Sequence, residues 1–148
     1  TERTSQDLIW NLYWIAPIRK KLIELIGLAD RTVRIMAHDR LLSDDVKKAL
    51  AEKPEKVRIE ILTPSYDADI PPALRVVLKT PVQHRSEIPQ AKEMTAGGVF
   101  MIDDKRILVV IGSGDEDTTG LYSESEGFVR FFLRYYALIQ DLTRRQDQ

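Results

Sequence analysis

The chain has 148 residues, enough for one ordinary domain and little more. Its 22 basic and 23 acidic residues leave a net charge of -1, which gives no footprint for direct nucleic-acid binding. Cysteine is absent, which excludes disulfides, thiolate metal sites and a cysteine nucleophile. No apolar run approaches the roughly 20 residues of a membrane-spanning helix, and the start carries no signal-peptide pattern, so a cytoplasmic protein is expected. The first residue is Thr1, and Asp7 already leads into an apolar run. The chain is therefore expected to be part of a longer gene product.

Leu8, Trp10, Leu12 and Trp14 alternate with Ile9, Asn11 and Tyr13, a period of two that suggests a short strand, although so short a run also fits a helix. Pro17 suits the first turn of a helix, where its missing N–H costs nothing. Ile15, Ile18, Leu22, Leu25, Ile26 and Ala29 follow at helical spacing and form one apolar stripe up to Asp30. Val33, Ile35 and Ala37 alternate as a strand. Ser43 is a suitable N-cap for a helix carrying Val46, Ala49 and Leu50 inward, closed by Pro54. Lys56 to Leu62 reads as a strand with Val57, Ile59 and Ile61 on one face.

The middle is less regular. Pro64, Pro71 and Pro72 interrupt the chain, Ala73 to Leu78 fits a short helix, and the polar Pro81 to Thr95 has room for one irregular strand. Order returns at Gly98. Val99 to Ile102 and Arg106 to Ile111 read as a hairpin joined by Asp103, Asp104 and Lys105. Ile107 to Ile111 is apolar throughout, as a strand buried on both faces is. Gly112 to Gly120 reads as a polar loop. Ser123 and Glu126 have capping-box spacing. Phe128, Phe131, Phe132, Tyr135, Leu138, Ile139 and Leu142 then make a closing amphipathic helix, with Phe128, Phe132 and Tyr135 expected in the core. Elements that each have a face to bury predict an α/β fold, a mixed sheet covered by helices.

Three segments carry a resemblance. Lys56-Val-Arg-Ile-Glu-Ile-Leu-Thr63 and Gly98-Val-Phe-Met-Ile-Asp-Asp-Lys-Arg-Ile-Leu-Val-Val-Ile-Gly-Ser113 together resemble the phospholipase D-like fold. The entry Asp7-Leu-Ile-Trp-Asn-Leu-Tyr-Trp-Ile-Ala-Pro-Ile-Arg-Lys-Lys-Leu-Ile-Glu-Leu-Ile26 resembles the start of the effector domain of TrmB-type archaeal transcription regulators. The resemblance implies a mixed sheet with helices on both faces. It also implies an N-terminal winged helix-turn-helix outside this chain, through which the whole protein would bind DNA.

Active phospholipase D-like enzymes carry His-x-Lys-x4-Asp before such a hairpin. The histidine attacks phosphorus, and the lysine binds the phosphate oxygens. Placing the motif Asp on Asp103 puts Ala96 at the histidine and Gly98 at the lysine, and a methyl group and a hydrogen do neither job. Placing it on Asp104 gives Gly97 and Val99. Gly112 and Ser113 come two residues later than in the enzymes, with Asp115 in place of asparagine. No catalytic residue and no cofactor is expected.

Ligands of open α/β sheets gather at strand C-termini, so His38, Asp39 and Arg40 after Ala37 are ligand-binding candidates, against the plainer reading of a polar loop. Thr63, Arg85 and Ser113 complete the candidate set. His84 and His38 lack metal-ligand spacing, and Asp115, Glu116 and Asp117 lack the alternation of a calcium loop, so no metal is expected. Trp10 and Trp14 are candidates for a dimer interface. The leading expectation is a ligand-sensing and dimerisation domain of a TrmB-like regulator, homodimeric and without activity, whose effector is an unidentified small molecule. A diverged phosphodiesterase and a pure protein-interaction module are the alternatives.

Overall fold

Alternating apolar residues leave each strand with a face to cover, and the chain solves this with one sheet between two helical layers. A computed structural model describes residues 9–37, 41–63, 76–79, 97–112 and 117–146. The elements run β1 (Ile9–Tyr13), α1 (Ile15–Leu28), β2 (Thr32–Ala37), α2 (Asp44–Ala51), β3 (Arg58–Thr63), β4 (Val76–Lys79), β5 (Gly98–Ile102), β6 (Arg106–Ile111), β7 (Thr119–Ser123) and α3 (Glu126–Gln146). The seven strands are ordered β1-β7-β6-β5-β2-β3-β4. β2 pairs in parallel with β3, and β3 with β4, while every other pairing is antiparallel.

The apolar stripe of α1 is buried as its spacing predicts: Ile18, Leu22, Leu25 and Ile26 point inward. With α2 they cover the face formed by Val33, Ile35, Ile59, Ile61, Phe100, Ile102, Leu108 and Val110. The Ser43 hydroxyl accepts the Val46 N–H at 3.4 Å, the expected N-cap of α2. α3 covers the other face, where Val129 and Tyr136 pack with Leu62, Val99, Met101, Ile107 and Val109. Helices thus lie on both faces of a mixed sheet, as expected.

Four expectations need correction. Residues 76–79 are a parallel strand beside β3, not the end of a helix. The hydrogen-bonding edge of β3 decides this, and local pattern does not report it. Thr119 and Gly120 begin β7, not a loop, because the β1 and β6 edges sandwich them. Ser123 is a buried strand residue whose hydroxyl accepts the Ser125 N–H, so the capping-box reading falls two residues early. The carbonyl of Ser125 takes the first helical bond, from the Val129 N–H. Lastly, Tyr135 is 46% exposed and Tyr136 is the buried ring, while Phe128 and Phe132 are half-buried against the core. A helix apolar on two sides offers two candidate inward stripes, and tertiary packing selects between them. The segment 81–95 lies outside the described residues.

Leu25, fully buried, anchors α1 to the sheet. Leu25→Ala is expected to cost about 2–5 kcal/mol in urea unfolding. Leu28→Ala on the same helix, where the side chain is 50% exposed, is expected to change stability by no more than about 0.5 kcal/mol.

Candidate functional site

In open α/β sheets, polar ligands collect where the parallel strands end. Here β2 ends at Ala37 and β3 at Thr63, and β5 enters the same edge at Gly98, opposite both Ala37 and Val110 of β6. The topology therefore brings the ends of β2, β3 and β6 together. Of the candidate ligand residues, Thr63 is described, and it is fully buried. His38, Asp39, Arg40, Arg85 and Ser113 lie outside the described residues, as do His84 and Ala96.

The α1-facing side of this edge is apolar and tight. A Cβ added at Gly98 would meet the Ala37 Cβ at 2.5 Å and a Leu41 methyl at 3.1 Å. One added at Gly97 would meet the Val110 carbonyl oxygen at 2.1 Å. Ile15, Ile18, Leu22, Leu41, Phe100 and Val110, with Arg19, surround a residual cavity of about 10 Å³. That is the space of about one water molecule. A side chain at Gly98 would require Ala37 and Leu41 to shift.

The polar chemistry of the described chain lies at the opposite edge. Asp103 and Asp104 are the central residues of the turn in the three-residue link between β5 and β6, with φ of 56° and 55°, and the Lys105 N–H closes it on the Ile102 carbonyl at 3.0 Å. Aspartate tolerates this left-handed region, and two such residues make the turn whose twist suits a hairpin. The buried Asp103 carboxylate accepts the backbone N–H groups of Asp30 at 3.0 Å, Arg31 at 2.7 Å and Thr32 at 3.0 Å. The Arg31 guanidinium reaches back to the Asp103 carbonyl at 3.1 Å. Burial alone would raise the Asp103 pKa, but the three N–H donors and the Arg31 charge outweigh it and hold the carboxyl below its ordinary 3.8.

Sequence pattern gave no sign of a second cluster between the sheet and α3. Glu60, 2% exposed, stands opposite Arg34 in the parallel register of β3 and β2. Its Oε1 accepts from Arg34 Nη1 at 2.7 Å, from the Tyr136 hydroxyl at 3.3 Å and from Gln140 Nε2 at 3.5 Å. Its Oε2 accepts from Arg58 Nε at 2.8 Å. Arg34 also donates from Nε to Asp104 at 3.0 Å, tying the cluster to the hairpin turn. Burial would lower the Arg34 pKa, but Asp104 and Glu60 raise it further, so the guanidinium stays charged. Both carboxylate oxygens are satisfied from within the fold, so the cluster reads as a structural joint. The signal available in sequence was a pair of opposite charges, Arg58 and Glu60, at alternate positions of a strand whose other face is apolar.

Of the aromatic candidates, Trp10 lies against the Tyr122 ring, with centroids 5.6 Å apart, and is 38% exposed. Lys21 Nζ sits 4.4 Å from the same Tyr122 ring. Trp14 is 62% exposed at a φ of 70°, costly for so bulky a residue, and its N–H donates to the Thr118 carbonyl at 2.9 Å. Among the described residues no group of three or more potential metal ligands gathers, and no helix is long and apolar enough to cross a membrane.

Comparison with solved structures supplies the class. Nuc from Salmonella typhimurium, a phospholipase D family member, aligns over 90% of this chain and 94% of its own, with a TM-score of 0.64 at 13% identity. NucT from Helicobacter pylori aligns over 90% and 97%, with a TM-score of 0.59 at 16% identity. This chain has the phospholipase D-like fold. TrmBL2, an archaeal chromatin protein with a novel mode of DNA binding, also aligns, over 94% of this chain and 54% of its own, with a TM-score of 0.56 at 15% identity. No family model matches the sequence, and no curated protein matches it.

Two predictions test the polar joints. Asp103→Asn removes the charge that the backbone N–H groups hold. It should lower stability at neutral pH by about 1–3 kcal/mol, the scale of hydrogen bonds to a charged group. Because the folded pKa lies below 3.8, the carboxylate's contribution is present above that value and is lost as pH falls through the folded pKa. Urea unfolding from neutral pH to about pH 2 should therefore show a flatter acid limb in the variant than in the parent. For the second cluster, Glu60→Ala is expected to cost about 3–5 kcal/mol, since it strands buried donors, and Arg34→Met with Glu60→Leu should recover much of that. Equal losses in the single and double variants would mean that the carboxylate does more than balance Arg34.

Proposed function

We propose that this domain is the non-catalytic sensing and pairing unit of a TrmB-type transcription regulator. The carrying observation is the packing at Gly98. The enzyme motif places a lysine there, and here the Ala37 Cβ stands 2.5 Å from where even a Cβ would begin. Phosphoryl transfer needs cationic donors aimed at the phosphate oxygens, and an apolar wall offers none. The structural similarity to TrmBL2 is compatible with a regulator, as the similarity to Nuc and NucT is with an enzyme, so the choice between them rests on the packing at Gly98. An effector bound near His38, Asp39, Arg40, Arg85 and Ser113 would bias two arrangements of a homodimer, which requires different affinities for the two. DNA contact would belong to a winged helix-turn-helix elsewhere in the gene product.

The test has two arms. Purified domain is incubated with a chromogenic phosphodiester, phosphatidylcholine vesicles and duplex DNA, and no hydrolysis above a buffer control is expected. Duplex binding is then compared between this domain and the complete gene product at several salt concentrations. The domain is expected to bind weakly, and the complete product to bind with the steep salt dependence of phosphate contacts. Turnover that tracks the protein through purification, or submicromolar binding by the domain alone, would overturn the proposal.

A further inference from the structure

The outer face of α3 carries an apolar stripe that the fold does not use. Phe131, Tyr135, Leu138 and Leu142 are 66%, 46%, 56% and 43% exposed. Their steps of four, three and four residues match the seam of a two-helix coiled coil. The inward face is separate, made by Val129, Tyr136 and their half-buried neighbours. So α3 satisfies the sheet with one side and leaves a second, regularly spaced side open, spanning about 16 Å along the axis.

We infer that this stripe pairs with the same stripe of a second copy, with the two α3 helices antiparallel about a two-fold axis. The inference rests on the pairing reading above and names its surface. Direction follows from shape and charge. In the antiparallel arrangement Tyr135 meets Leu138 of the second copy, and Phe131 meets its Leu142, each ring against a smaller side chain. A parallel arrangement would set ring on ring. On the rim, the antiparallel seam places exposed Arg134 beside exposed Asp141 of the second copy, and the axis repeats that contact. A parallel seam would set Arg134 against Ile139, which is already half-buried in its own core. The nearby Arg130 is engaged with Glu126 one turn earlier.

Sedimentation equilibrium of the intact chain tests this, with circular dichroism to confirm folding. The parent is expected at twice 17.0 kDa. L138E places a charge in the seam at an exposed position and should give folded monomer. R134E and D141R each create like-charge contacts twice over and should weaken self-association roughly tenfold or more. Mixed together, R134E and D141R should form a heterodimer about as tight as the parent, because both rim contacts are then opposite in sign. This recovery distinguishes the antiparallel pair from loss of fold. A parent mass of 17.0 kDa up to high micromolar would overturn the inference. So would a dimer indifferent to L138E and lost instead on Trp14→Ala, although pairing by this domain would then stand. The hydrolysis and DNA assays judge the non-catalytic reading separately.

Discussion

The fold depends on how one carboxylate is held. Asp103 sits at the tip of the β5–β6 hairpin and accepts three successive backbone N–H groups where α1 hands over to β2. Those N–H groups belong to residues leaving a helix and entering a strand, where neither element supplies all their partners. The Asp103 N–H in turn donates to the Thr32 carbonyl at 2.8 Å, continuing the β5–β2 ladder into the turn. A contact spanning more than seventy residues of sequence thus sets the antiparallel register of β5 on β2. With that register set, Gly98 falls opposite Ala37 at the far edge.

The two ends of the sheet consequently have opposite characters. The turn end concentrates charge: Asp104, Arg34 and Glu60 form one continuous set of bonds between the sheet and α3, and Asp103 beside them holds the α1–β2 junction. Each of these groups is bonded to another part of the chain, which ties the hairpin turn to the strands beside it. At the far end, among the described residues, Ala37 and Leu41 pack closely against Gly98 on the α1 side. The apolar surplus appears instead on the outside, as the open stripe of α3 and the exposed rings Tyr13 and Trp14. Large exposed apolar groups of this kind are characteristic of association surfaces.

Much of this was legible in the residues. Period-two runs located β1, β2 and β3, and helical spacing located α1 and its buried stripe, because burial on one face leaves a repeat in the sequence; β6 was read from an unbroken apolar run. The Ser43 cap was readable from local chemistry. That Ala96 and Gly98 stand where the enzyme motif has histidine and lysine was readable from residue identity. The candidate site was less legible. His38, Asp39 and Arg40 were chosen for their place after a strand, and Thr63, chosen on the same ground, proves buried.

Local sequence therefore determined the element types wherever one face repeats. Tertiary structure decided the rest. β4 and β7 exist because neighbouring edges supply their hydrogen bonds, an energy no residue carries by itself. Glu60 is a buried charge and not a surface one because Arg34, Tyr136 and Gln140 arrive from other elements, joining Arg58 of its own strand, to satisfy it. α3 has two apolar sides in its sequence, and only docking on the sheet settled that Tyr136 goes in while Tyr135 stays out, because a helix can turn just one side toward a single sheet.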